Sequence, residues 1–487
     1  MIPEQIEKKL RDLQRMICCN RPDVRYNEDT GNIEYWDGST WTPYVSSWLL
    51  TGNSGTTPST NFLGTTDNNG IAFKVNNQHA GFINSRTDGI VTQGGFASFG
   101  QYAGNNMIPM INAGTRPDGR LNTLIGHAAG YNIGSTHDGV GTPSGENVFV
   151  GNWAGYFVQN VGRNGFGRNV FIGQSAGFRG VGSGENTGVG CFALEVVNKG
   201  VVNVGLGRDA LRSTIDGDEN VGLGGLSLVY SSTGVRSVTI TNGGSGYTTA
   251  TVTFSAPYAG GPGLCNATAT GTAVISGGAI IGVDITNPGC GYSQYGGTLY
   301  PGFSHPAVTV TITGDGAGAT ATANLQSASY NTSAGGSAGL GNRVGRYNSY
   351  FGYHSGTGQT RYWDLYNTLI GAYTDIDSSV TATTAIEKST AIGYGAKVAK
   401  SNAIVLGATG ADQPNVGVGT ISPDDSAIVD LTSTTRGFLP PRMTGVQAEA
   451  IVSPTEGLLV YSTDGSGVTI TSKGWWGYEG ATWVKLN

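Results

Sequence analysis

The sequence predicts a mainly β protein: an elongated trimeric β-roll or β-solenoid with a short N-terminal helix, an inserted small β-domain and aromatic β-hairpins near both ends. Three observations lead there. Glycine supplies 81 of the 487 residues and charged residues only 12%, against usual shares of ~7% and ~25%, so the chain is dense in turns. An Asn-x-x-x-Gly unit recurs through its middle. A period that short holds one or two strands and their turns, which makes each unit one rung of a solenoid.

Composition removes several classes. The glycine carries no Gly-X-Y period and proline is only 17 residues, so the chain is not collagen. With 38% hydrophobic residues and a net charge of −6 it is expected to fold, and it lacks the basic footprint of a nucleic-acid binder. No apolar run is long enough to cross a bilayer, so no membrane insertion is expected. The start, Met1 to Lys9, is charged and has no apolar core, so no secretory signal is expected. Five cysteines are too few and too scattered for a disulfide framework or a zinc site. Cys18 and Cys19 are adjacent and Cys191 stands alone; Cys265 and Cys290 share one segment and could pair, which spacing does not decide.

Residues 1–47 read as a helix and a hairpin. Ile6, Leu10, Leu13 and Ile17 form a seam about two heptads long, the expected trimer contact, too short to hold helices together unaided. Two aromatic strands follow around Glu28-Asp29-Thr30-Gly31, and residues 48–121 form a β-rich module. The ladder covers 122–234 and 326–420. Its copies begin at Asn122, Asn147, Asn169, Asn186, Asn203 and Asn220, resume at Asn331, Asn348 and Asn367, and continue more loosely at Ser389, Asn402 and Asn415. From 169 to 220 each step is 17 residues. The apolar residues after Asn should alternate inward, Gly should make the bend, and Asn should bond its own backbone or stack on its equivalents. Twelve such rungs would stack to roughly 60 Å. With so few bulky residues per rung, one chain is not expected to fill its own core, and three chains sharing an axis would.

Residues 235–325 interrupt the ladder with a different repeat, Ile240-Thr241-Asn242-Gly243-Gly244-Ser245-Gly246-Tyr247 and Ile285-Thr286-Asn287-Pro288-Gly289-Cys290-Gly291-Tyr292, each followed by a Thr/Val strand. This inserted β-domain should protrude and offer a contact site. In 421–487 an extended Arg436 to Met443 stretch leads to a short helix over 444–451 and a final hairpin with Trp475, Trp476 and Trp483.

The Asn-x-x-x-Gly-x-x-Ala ladder resembles the head repeats of trimeric autotransporter adhesins and ladders in bacteriophage fibres. Trp48 to Gly55 and Thr60 to Asp67 with Phe73 to Asn77 resemble modules of fibre proteins from phages of Bacteroidota and of those bacteria's surface proteins, and Asn415 to Thr420 with Ser422-Pro423, Arg436 to Met443 and Glu456 to Tyr461 resembles the C-terminal module of the same group. The resemblance implies a homotrimeric virion fibre on tail or capsid. Such a fibre is made in the host cytoplasm, docks on capsid or tail proteins and adheres to the host surface, where a glycan is the candidate partner. A bacterial surface adhesin and a polysaccharide-degrading tail spike are the alternatives.

Several motifs look chemical. Gly173-Gln174-Ser175-Ala176-Gly177 and Gly335-Gly336-Ser337-Ala338-Gly339 match a nucleophile elbow. The slot of Ser175 and Ser337 holds Ala128 and Trp153 in other copies, so it is structural and no catalytic residue is expected. His79, His127, His137, His305 and His354 show no metal spacing, although His127 or His354 repeated about a trimer axis could meet a metal. Asp216-Gly217-Asp218-Glu219 lacks the calcium-loop pattern and reads as a solvated turn. No cofactor is expected. Tyr247, Tyr292, Trp475 and Trp476 are the candidate receptor or glycan contacts, against the simpler reading that they pack.

Overall fold

The repeat residues set the backbone of a rung one peptide at a time. The computed structural model describes residues 24–30, 32–43, 52, 56–57, 59, 62–66, 69–84, 96–105, 121–133, 145–158, 167–257, 267–294, 297–300, 303–305, 307–358, 363–380 and 385–486. The seam of Ile6, Leu10, Leu13 and Ile17 lies outside them. The chain divides into two compact units, Met1–Ile71 with Ser85–Thr87, and Ala72–Asn84 with Asp88–Asn487.

In the first unit the expected hairpin has a third strand. Val24–Asn27, Asn32–Trp36 and Trp41–Pro43 form an antiparallel sheet in that order. Asp37 fixes the second turn: its Oδ1 accepts the N–H groups of Ser39 and Thr40, both at 2.8 Å. Trp36 and Trp41 then face each other at 5.7 Å, with the Arg25 guanidinium 4.3 Å over Trp41.

In the second unit one fourteen-stranded sheet carries the ladder. From Phe96–Phe99 onward every neighbour is parallel, through Thr123–Ile125, Val148–Val150, Val170–Ile172, Thr187–Val189, Val204–Leu206, Val221–Leu223, Thr332–Ala334, Ser349–Phe351, Thr368–Ile370, Thr390–Ile392 and Ile404–Leu406. The nine repeat asparagines from Asn122 to Asn367 are all buried and stack. Asn203 is typical: its backbone N–H and Nδ2 both donate to Asn186 Oδ1 at 2.9 and 3.1 Å, and its Nδ2 also donates to Gly217 O at 2.8 Å. Its own Oδ1 accepts the same pair from Asn220. Every donor and acceptor of the amide is used, which is what lets a polar side chain sit in a dry core. The bend glycine is required as well. Gly190 has φ +137°, and a Cβ there would lie 2.4 Å from Gly207 O in the next rung.

Three expectations change here. The copy at Asn402 is displaced by one residue: Ala403 fills the asparagine slot, because Ile404 pairs with Thr390. Asn402 takes the left-handed position (φ +58°) that Lys388 and Tyr366 hold in the rungs before. The copy at Asn415 is no rung of this sheet, since Val416–Val418 pairs instead with Val429–Leu431. Pro414 packs on Gly407, where the next rung would stack. An unexpected rung, Phe96–Phe99, precedes the first asparagine.

The expectation that one chain cannot fill its core is also corrected. Leu124, Phe149, Phe171, Leu194, Leu211, Leu228, Tyr350 and Leu369 join one buried cluster inside a single roll. Two kinds of rung follow one another from Asn122 to Asn220. In the first three asparagine rungs the middle strand residue is large, Leu124, Phe149 or Phe171, the turn ends in Ala-Gly, and the side chain lies over that glycine, as Phe171 does over Gly177. Where it is Gly188, Gly205 or Gly222, the same turn position is Leu194, Leu211 or Leu228, which fills the space from the other side. Volume is thus conserved between these two sets of rungs.

The ladder does not break between 220 and 331. Val221 pairs with Thr332, and Asn331 donates to Asn220 Oδ1 at 3.1 Å. The intervening segment leaves and returns as a long antiparallel pair, Thr233–Ser245 with Ala317–Ser327. It also holds a four-stranded sheet built from Ala250–Phe254, Thr270–Ser276, Ala279–Asn287 and Val310–Gly314. Cys290 in this segment is disulfide-bonded, and Cys191 on the ladder is free. At the far end, Arg442–Met443, Leu459–Ser462, Gly474–Glu479 and Thr482–Lys485 form a sheet in that order, beside a helix over Gly445–Glu449 that Thr444 caps.

Candidate functional site

A three-residue strand turns its middle side chain inward and its first and third outward. The third positions therefore form a column on the outer face of the ladder. Ile125, Ile172, Val189, Leu206, Leu223, Phe351, Ile370, Ile392 and Leu406 are each 36–51% exposed. Beside it runs a column of half-buried β-branched first positions, among them Val170, Thr187, Val204, Val221, Thr368 and Thr390. A contiguous apolar band of this length on one side of a monomer marks an interaction face.

The corners of the ladder carry aromatic columns. Tyr330, Tyr347 and Tyr366 stack face to face at 4.7 and 4.9 Å, with the Arg346 guanidinium 5.3 Å from Tyr330 and 5.4 Å from Tyr347. At the opposite corner His354 stacks on Tyr373 at 5.6 Å, and Tyr353 and Tyr394 meet Tyr373 edge-on at 5.7 and 5.8 Å. His127 lies between Tyr102 and Trp153, its Nδ1 3.2 Å from Asn152 Oδ1. Among the described residues no group of three or more His, Cys, Asp or Glu is placed to hold a metal.

Three of the four residues expected to touch a receptor are core residues. Tyr247 and Tyr292 are 4% and 3% exposed. Each ring folds over a left-handed glycine of its own turn, Gly244 or Gly289. Ala319 N–H donates to Tyr247 Oη at 3.3 Å; Tyr292 Oη accepts from Ala269 N at 2.9 Å and donates to Ser255 O at 3.1 Å. The Asn-x-Gly-x-Gly-Tyr repeat is therefore a self-closing turn, and a ring covered on both faces offers nothing to a sugar. Trp476 is also buried, with Nε1 donating to Ser472 O at 3.0 Å, in a core with Val460, Ile470 and Trp483. Trp475 is exposed at 38% and lies edge-on to Tyr461. The serines of the two elbow-like motifs sit in the turn at φ +54° and +58°, the slot that Ala128, Trp153 and Tyr373 fill elsewhere.

The acidic turn differs from expectation at its first residue. Asp216 is buried, with Oδ2 accepting Gln294 N–H at 2.7 Å at the junction of ladder and insertion. Burial pushes its carboxyl up to about 6, against the hydrogen bonds from Ser293 and Gln294 and the nearby Lys199, while Asp218 adds to the rise. An acid whose folded pKa lies above its unfolded value of 3.8 favours the folded state most at low pH. Its contribution falls as pH rises from about 4 to 6 and stays lower above that. Asp216→Asn should therefore raise the melting temperature at pH 8 and leave it nearly unchanged at pH 4, read by calorimetry at both values; an equal shift at both would contradict the assignment.

Residues 417–487 match the family described as phage tail like trimerisation region. No curated protein and no solved structure matches the chain. The match covers the C-terminal sheet and its helix, and it supports a trimeric, phage tail-like structural protein. No helix among the described residues is long and apolar enough to cross a membrane.

Proposed function

We propose that this chain is the subunit of a homotrimeric, non-catalytic bacteriophage fibre that decorates the tail or capsid and mediates adhesion to the host cell surface. The observation that carries the reading is the outward apolar band. It runs the length of the ladder in the same chain as a trimerisation-like C-terminal region, and each roll already has a core of its own. A band that the chain does not need for its own packing is material for packing between chains. The placement of Asp216 supports the non-catalytic part. Burial pushes its carboxyl up to about 6, and it is closed off at the junction of ladder and insertion, whereas a hydrolase presents its raised acid to a substrate cleft.

Light scattering on the purified protein should give three times 50.2 kDa. Leu206→Glu with Leu223→Glu, both on the outer column, should shift that mass toward one chain while each roll keeps its β circular dichroism. A wild-type protein that runs as a monodisperse monomer overturns the proposal. Gold-labelled antibody on intact particles separates tail from capsid.

A further inference from the structure

We propose that an open groove at the C-terminal end of the ladder is a binding subsite for a neutral pyranose of a surface glycan. Its biological sense rests on the adhesive reading above; the geometry stands apart from it. The last two full turns and the short helical turn Gly410–Asp412 enclose about 550 Å³. Tyr373 and Tyr394 line it, 47% and 61% exposed, with ring centroids 5.8 Å apart and planes at 76°. Two rings at a right angle make a floor and a side wall. Around them stand Asp377, Asp412, Lys397 and Thr409.

The chemistry of these groups selects the ligand. A pyranose has an apolar face of C–H groups that covers an aromatic ring, and a rim of hydroxyls that are donors and acceptors at once. Tyrosine faces suit the first. The carboxylates of Asp377 and Asp412 accept hydroxyl protons, and the Lys397 ammonium donates to a sugar oxygen. Asp377 is held ionised as an acceptor: Ser379 N–H donates to its Oδ1 at 2.9 Å, and hydrogen bonds from Ser379 keep its carboxyl below the usual range. Two carboxylates against one ammonium leave the groove net negative, which disfavours uronic acids and phosphates. A proline-rich peptide would also use the tyrosines, but it brings mainly carbonyl acceptors to a site that is itself rich in acceptors.

The test is an array of neutral, amino-sugar and uronic-acid oligosaccharides probed with the full-length protein and with Tyr394→Ala and Tyr373→Ala. Tyr394 is the more exposed ring, so Tyr394→Ala should keep the wild-type melting temperature and light-scattering mass; Tyr373 also stacks on His354, so Tyr373→Ala should keep the mass and lower the melting temperature. Wild type should bind neutral glycans, and each substitution should weaken that signal about tenfold. Three results overturn the proposal: no neutral glycan bound, binding unchanged in both variants, or preference for uronic-acid glycans. A trimer that binds no glycan sinks the groove and leaves the fibre; a glycan-binding monomer does the reverse.

Discussion

Gly177→Leu should destabilise the ladder by roughly 3–5 kcal/mol, while Phe171→Gly added to it should restore most of that loss. A Cβ on Gly177 would sit 2.1 Å from the Phe171 ring, so the leucine has no room while the ring is there. Phe171→Gly alone should cost a similar amount, because it empties a fully buried site next to Phe149. Together the two changes write the pattern of Gly188 with Leu194 one rung on, and Leu194 already holds the left-handed backbone that residue 177 needs (φ +50° against +58°). Thermal or urea unfolding of the four proteins gives the coupling energy directly. Losses that simply add in the double variant would show that the two rung types are not interchangeable.

The second large effect is electrostatic. Asn203→Asp should cost roughly 3–5 kcal/mol at pH 8, more than Asn203→Ala at about 2 kcal/mol. The amide Nδ2 faces three acceptors, Asn186 Oδ1, Gly217 O and, at 3.3 Å, Val201 O. A carboxylate there turns these hydrogen bonds into repulsions in a site with no solvent exposure. The aspartate would bind its proton more tightly folded than unfolded, so the variant should recover as pH falls toward 4 and lose stability as pH rises. Asn203→Ala should show no such recovery. Melting curves at pH 4.5 and 8 separate the two, and an aspartate variant insensitive to pH would contradict the buried stack.

The ladder was legible because its two demanding positions admit few residues. A fully bonded amide and a glycine pressed on the next carbonyl leave a periodic trace from Asn122 to Asn367. Where a position relaxes, the trace fades. Phe96 stands where asparagine stands elsewhere, so the rung before Asn122 left no signal, and Ala403 beside Asn402 shifted the frame by one. The filling of the core is hidden in the sequence for another reason. Glycines 188, 205 and 222 look like missing volume until they are paired with Leu194, Leu211 and Leu228 six residues later. That exchange was open to inspection in the sequence. The candidate site was hardly legible. Tyr247 and Tyr292 stand out as aromatics after glycine, yet glycine is what lets each ring fold back and hide. Tyr373 and Tyr394 fall in ordinary repeat slots, and only stacking of the rungs brings them together.

The way the insertion joins the ladder has a practical meaning. Its first and last paired residues, Thr233 and Ser327, are directly opposite each other, and Ala328 N–H donates to Ser232 O at 2.9 Å. Chain leaves and re-enters the shaft through one narrow doorway, with the asparagine stack closed behind it. Any module whose own ends lie side by side could be exchanged at that point, provided that it also meets the rungs where the present one does, as Gln294 meets Asp216. The shaft is in effect a mast with a standard fitting, on which different heads can be hoisted while the mast stays the same.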